Sequence, residues 1–135
     1  MISTLHSMGI NGLEAFTVSI ESDISAGMPS FEIVGLPDAS VKESRNRVRA
    51  AIKNSGFKFP IARITVNLAP ADVKKVGSLY DLPIFLSILI SSGQITSLPK
   101  SSVFIGELSL SGDVCEVTGV LPMVIHAKQN GFKNV

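Results

Sequence analysis

Residues 27–56 read GMPSFEIVGLPDASVKESRNRVRAAIKNSG, and this stretch decides the fold class. Phe31-Glu32-Ile33-Val34 is an apolar, β-branched run closed by Gly35 and Pro37, which predicts a short buried strand ending in a tight turn. Asp38 or Ser40 can cap the helix that follows, and Ser40-x-x-Glu43 has capping-box spacing. Gly56 supplies the left-handed position that ends a helix.

The faces of this helix are unequal. At about 100° per residue, Val41, Ser44, Val48, Ala51 and Ile52 gather on one apolar arc. Lys42, Arg45, Arg49 and Lys53 fall on an adjacent arc about 80° wide, and Arg47 points elsewhere. Of the 12 Lys and Arg residues in the chain, seven lie between Lys42 and Arg63, with one Glu among them. A chain of net charge +1 has therefore gathered most of its positive charge on one element. Such an arc can lie along a phosphate backbone, where each contact adds affinity without reading sequence. It equally suits an acidic partner, a domain interface, or plain solvation.

Working outward, residues 2–10 and the alternating pattern of residues 13–24 predict two strands, and residues 63–68 another. Asp81-Leu82-Pro83 reads as a helix N-cap followed by Pro in the first turn. Ile84 to Ile90 is apolar except for Ser87, so that helix is expected to be buried nearly all round. Residues 103–110 and 114–117 flank Ser111-Gly112-Asp113 as a β-hairpin. A last helix spans residues 120–129. Residues 132–135 start a strand that is not completed, which predicts a fragment cut from a longer protein. Together these elements predict a single α/β domain over residues 1–135, an α+β two-layer sandwich with a mixed sheet and about three helices.

Composition narrows the function classes. With 45% hydrophobic and 17% charged residues, the 135-residue chain suits a compact globular domain. No Trp and one Tyr leave little to stack on single-stranded nucleic acid. The lone Cys115 excludes an internal disulfide and reads as a small buried hydrophobe. His6 and His126 are too isolated to suggest a metal site. There is no secretory leader and no apolar run near the ~20 residues of a membrane span, so a cytoplasmic setting is expected. No phosphate loop of the form G-x-x-x-x-G-K-[ST] occurs, so no nucleotide site is expected here. The one nucleophilic arrangement is Ser78 shortly after Lys74-Lys75, which also reads as a polar loop entering a helix.

Several of these segments resemble the N-terminal domain of the YifB/ComM family of magnesium-chelatase-like AAA+ ATPases. They are Val18-Ser19-Ile20-Glu21, the run from Gly27 to Asp38, Val41 to Arg49, Val66 to Asp72, and Gly77-Ser78 with Asp81-Leu82-Pro83. The resemblance covers essentially the whole chain. It implies a fold similar to the Lon protease proteolytic domain and the C-terminal domain of RadA, the fold first named for the second domain of a small-subunit ribosomal protein. It also implies that ATP and magnesium belong to an AAA+ module following this chain. In the ComM branch it implies a hexameric, ATP-driven helicase for DNA branch migration in natural transformation. Laid on the Lon pattern, the nucleophile position holds Leu79, with Ser78 beside it, and the lysine position holds Leu121. The resemblance therefore implies a non-catalytic domain.

The leading expectation is a domain that contacts DNA, orders a homo-hexamer, or both, with Lys42, Arg45, Arg49 and Lys53 as the candidate DNA surface. The alternatives are a pure interaction module packing on its own AAA+ ring, and a residual peptidase using Ser78.

Overall fold

The computed structural model describes residues 2–135. Two long strands, β1 (Ile2–Asn11) and β2 (Glu14–Ser25), form an antiparallel hairpin. They are followed by β3 (Ser30–Val34), α1 (Ala39–Lys42), α2 (Ser44–Asn54), β4 (Arg63–Ala69) and α3 (Asp81–Ser91). The short strands β5 (Glu107–Leu108) and β6 (Val114–Cys115) precede α4 (Val120–Gln129). The main sheet has the order β1-β2-β4-β3, with β4 antiparallel to β2 and parallel to β3. It is the mixed sheet and α+β sandwich that the sequence predicts.

Period-two alternation sets the two faces of the sheet. Leu5, Val18, Ile20, Phe31, Ile33, Ile64, Val66 and Leu68 point to one side and form the main core with Val48 and Ile52 of α2 and Ile84 and Ile88 of α3. Each such side chain contributes about 1.5–3 kcal/mol by leaving water. Met8 and Ile10 point to the other side, where a smaller cluster joins them to Met123 and Ala127 of α4. The hairpin is thus covered on both faces.

A seam of hydroxyls lets α3 lie close against the hairpin. Ser3 Oγ donates to the Ser87 carbonyl at 2.8 Å, and Ser91 Oγ donates to Ser3 Oγ at 2.7 Å. Ser22 Oγ also donates to the Ser87 carbonyl, at 2.9 Å. Every member of this seam is buried and partnered, which removes the cost of placing polar atoms there. Gly9 makes room in the same region, since a Cβ there would lie 2.5 Å from the Tyr80 hydroxyl.

Four local expectations are corrected. The run Phe31–Val34 is the edge strand β3, alternating buried and exposed residues, and is not buried on both faces. The basic helix is broken at Glu43 into α1 and α2, and Asp38 alone caps it, accepting from the Val41 N–H at 2.8 Å. The 103–117 hairpin shrinks to two residues per strand. Its remaining backbone is taken elsewhere: Phe104 N–H donates to His6, Val103 N–H to Asn134, and Gly106 N–H to Leu79. The same pairing ties residues 132–134 to 101–103, so the terminal strand-like residues have a partner. Cys115 is half-exposed on β6 and not a buried hydrophobe, because its short strand has only β5 beside it.

Candidate functional site

The basic face is built by the break at Glu43. Asp38 starts α1, and the helix resumes at Ser44 with Val48, Ala51 and Ile52 turned to the core. Lys42, Arg45, Arg49 and Lys53 are all exposed. Arg45 Nε donates to the Lys42 carbonyl at 3.3 Å, which lays its side chain along the break. The Arg49 guanidinium sits 5.0 Å over the Phe59 ring, a cation–π contact that orders the side chain without neutralising it. Among the described residues, none of the four pairs with a carboxylate. All four sequence candidates are thus exposed, three of them on α2 and Lys42 at the end of α1.

Arg47 behaves differently from its neighbours. Its Nε donates to Asp81 at 2.6 Å and its Nη2 at 3.2 Å. Asp81, fully buried, also accepts from Ser44 Oγ at 2.5 Å and from the Leu108 N–H at 3.0 Å. The expected N-cap role of Asp81 is thus corrected. Tyr80 holds the cap position of α3 without a side-chain bond, and Asp81 is the first helical residue, its carboxylate turned back across the interface to α2 and β5. The hydrogen bond to Asp81 is the main cause holding the Arg47 charge above the ordinary arginine value, against the opposing effect of burial. The signal was present in the helix geometry: Arg47 lies about 60° from Ser44, on the margin of the apolar arc away from the other cations.

Lys75 is the second residue the sequence reading misplaced. It is fully buried, and its ammonium donates to the Gly35 carbonyl at 2.8 Å and to the Pro70 carbonyl. Its backbone is engaged too, since the Lys75 N–H donates to Leu36 at 3.0 Å and its carbonyl accepts from the Asp38 N–H at 2.9 Å. Burial pushes the Lys75 ammonium below the ordinary lysine value, and Asp72 opposes that shift. Gly35 is required here: its φ is +106°, and a Cβ would lie 2.1 Å from the Leu68 carbonyl oxygen. Lys75 therefore joins the loop after β3 to the loop after β4 and does not serve Ser78. Lys74 is exposed.

Ser78 lines a groove of about 610 Å³ with Gly77, Leu79, Val117 and Met123. Leu79 reaches this groove, whereas Leu121 is exposed on α4 and is not part of its lining. His6 packs against Phe132 at 5.3 Å between ring centroids. Among the described residues there is no group of three His, Cys, Asp or Glu that could hold a metal ion. No helix among them is long and apolar enough to cross a membrane.

A family model described as subunit ChlI of Mg-chelatase matches residues 20–135. Competence protein ComM of Haemophilus influenzae is 44% identical over 130 residues, covering 96% of this chain and 26% of that protein. YifB of Escherichia coli is 41% identical over 133 residues, with 98% and 26% covered. YifB of Salmonella typhimurium is 43% identical over 131 residues, with 96% and 26% covered. The chain spans about a quarter of the length of these curated relatives. With similarity running from the β1–β2 hairpin to the last residue, the chain belongs to the ChlI-type magnesium-chelatase family, in the company of ComM and YifB.

Proposed function

We propose that this chain is a non-catalytic domain of a longer, cytoplasmic magnesium-chelatase-like AAA+ ATPase, and that it contacts DNA through the α1–α2 face. The observation that carries this reading is the state of the cations. Lys42, Arg45, Arg49 and Lys53 are exposed and unpaired along one face, while Arg47 on the same helix is turned inward to Asp81. A row of unpaired cations that neutralises phosphates frees the counterions condensed on the DNA, whereas a face made only for solvation gains nothing from excluding acidic neighbours. The name of the Haemophilus relative, a competence protein, agrees with work on DNA. ATP and magnesium act in the ATPase module outside this chain, and ordering of a hexamer is a second task of the same domain. No bond-breaking role is assigned to Ser78, since Lys75, three residues before it in the chain, is engaged by two carbonyls.

The test is a fluorescence titration of the 135-residue chain against a labelled four-way junction and a matched duplex at two salt concentrations. The variant carries Lys42→Ala, Arg45→Ala, Arg49→Ala and Lys53→Ala together. The expected result is weaker binding and a log–log salt slope smaller by about 3–4, roughly one per lost phosphate contact. Equal affinity of variant and parent would refute the DNA surface. The charge would then belong to a protein interface.

A further inference from the structure

Helices α3 and α4 have the same kind of sequence and different surroundings. The first six residues of α4, Val120-Leu121-Pro122-Met123-Val124-Ile125, place apolar side chains around the whole circumference, the pattern of a helix covered on all sides. Helix α3 has that pattern and none of its residues is exposed, although Leu82, Phe85, Leu86 and Ile90 are only partly buried. Helix α4 turns only Met123 and Ala127 to the core and leaves Leu121 70% and Ile125 48% exposed. The contrast with α2, whose outer face carries cations, marks this as a surface not made for water.

The exposed side of α4 adjoins two hollows. The groove of about 610 Å³ described above and a second of about 380 Å³ share Leu13 and Pro122 as common walls. Leu13, at the β1–β2 turn, is 96% exposed. Single exposed leucines are ordinary, but an apolar ridge, a groove beside it and an apolar helix face on one side of a small domain form a continuous patch, which marks an interaction site. Its apolar character is that of a permanent interface and not of a transient, polar one.

We propose that this face, made by Leu13, the groove and the outer side of α4, is the docking surface for the rest of the chain's own polypeptide. This rests on the reading of the chain as one part of a longer protein. A permanent apolar interface needs a partner present in fixed proportion, and the same polypeptide supplies one by construction. The curated relatives are long enough to do so, since this chain matches only 26% of their length. The basic α1–α2 face is a separate surface, so docking through α4 leaves it free for DNA.

The experiment uses the full-length protein with Cys115 and every cysteine outside this chain changed to Ser, with single reporters Leu13→Cys, Leu121→Cys and Ile125→Cys, and Thr96→Cys as an exposed control outside the patch. Intact mass first establishes the length of the gene product, which separates failure of the longer-protein reading from failure of the docking proposal. The DNA titration above is unaffected by either. Maleimide labelling rates are then read over a dilution series. Docking predicts that the three reporters label at least about tenfold more slowly than Thr96→Cys at every dilution, because thiol reactivity requires access. Rates equal to the control would overturn the proposal. Protection that disappears on dilution would overturn it too, in favour of a second copy. The three positions act as one another's folding controls, since a reporter that unfolds the domain labels fast and loses the native circular dichroism.

Discussion

Asp81 offers the sharpest test of how this domain is held together. If it were an N-cap, Asp81→Asn would be nearly silent, because asparagine caps as well as aspartate. The structure predicts the opposite. The carboxylate is fully buried and receives four hydrogen bonds, two of them from Arg47, so both oxygens act only as acceptors. Asparagine has one acceptor oxygen, and its NH₂ group would face donors from Arg47 or Leu108. Removing one member of a buried pair costs about 3–5 kcal/mol. The lower end applies here, because the Arg47 side chain is 20% exposed and Glu43, at 3.6 Å, remains as a substitute partner. We expect about 3 kcal/mol for Asp81→Ala and about 2–3 kcal/mol for Asp81→Asn. That is a large share of the ~5–15 kcal/mol available to a domain of this size. The assay is urea unfolding with linear extrapolation, run with Arg47→Met and the double variant. The two single changes should fail to add by about 1–3 kcal/mol. An Asp81→Asn cost under about 0.5 kcal/mol, or full additivity, would refute the account of the α2–α3–β5 junction.

Two further outcomes follow from buried titratable groups. Lys75→Met keeps the packed stem but removes the donor to Gly35 and Pro70, and should lower stability by about 1–3 kcal/mol. Hydrogen exchange should show the Asp38 and Lys75 amides opening first, since they join the same two loops. Tyr80, the only tyrosine, is held above its ordinary value of 10.0, first by burial and then by Asp38. The unfolded chain therefore loses this proton before the folded one does. Stability is unaffected by Tyr80 below pH 10.0 and falls as pH rises further, by up to about 1.4 kcal/mol per unit. Lys75 acts in the opposite sense, because its lowered value makes stability rise with pH, and its effect is complete near 10.5. Tyrosinate absorbance should therefore appear only with unfolding, and Tyr80→Phe should flatten the alkaline fall. Tyrosinate forming in the folded chain near pH 10.0 would contradict the buried placement.

Much of this protein was legible before any coordinates. Period-two alternation located β2, whose buried face packs on the core while the pattern follows the pleat, and the segments 2–10 and 63–68 were also read as strands. The apolar run from Ile84 to Ile90 announced a helix buried nearly all round, as α3 is with no exposed residue, and the 3.6-residue period of α2 separated its cations from its core face. Arg45, Arg49 and Lys53 lie on one side of α2 by local helix geometry, and Lys42, on α1, is tied to them across the break by the Arg45 bond to its carbonyl.

What tertiary structure decided is where non-local backbone and charge partners lie. Residues 103–106 look like a hairpin strand, yet the N–H groups of Val103, Phe104 and Gly106 go to Asn134, His6 and Leu79, partners far away in the sequence. Asp81 carries the local signature of a cap, and only the arrival of α2 and β5 turns it into the acceptor for Ser44, Arg47 and Leu108. Lys75 sits in a polar stretch that any sequence rule would leave in water, but packing of the two loops after β3 and β4 buries it. By itself the sequence determined the long strands and helices whose pattern is set by neighbours within a few residues. The placement of buried charge was left to the fold, because an ion enters the interior only where distant groups converge to replace its water.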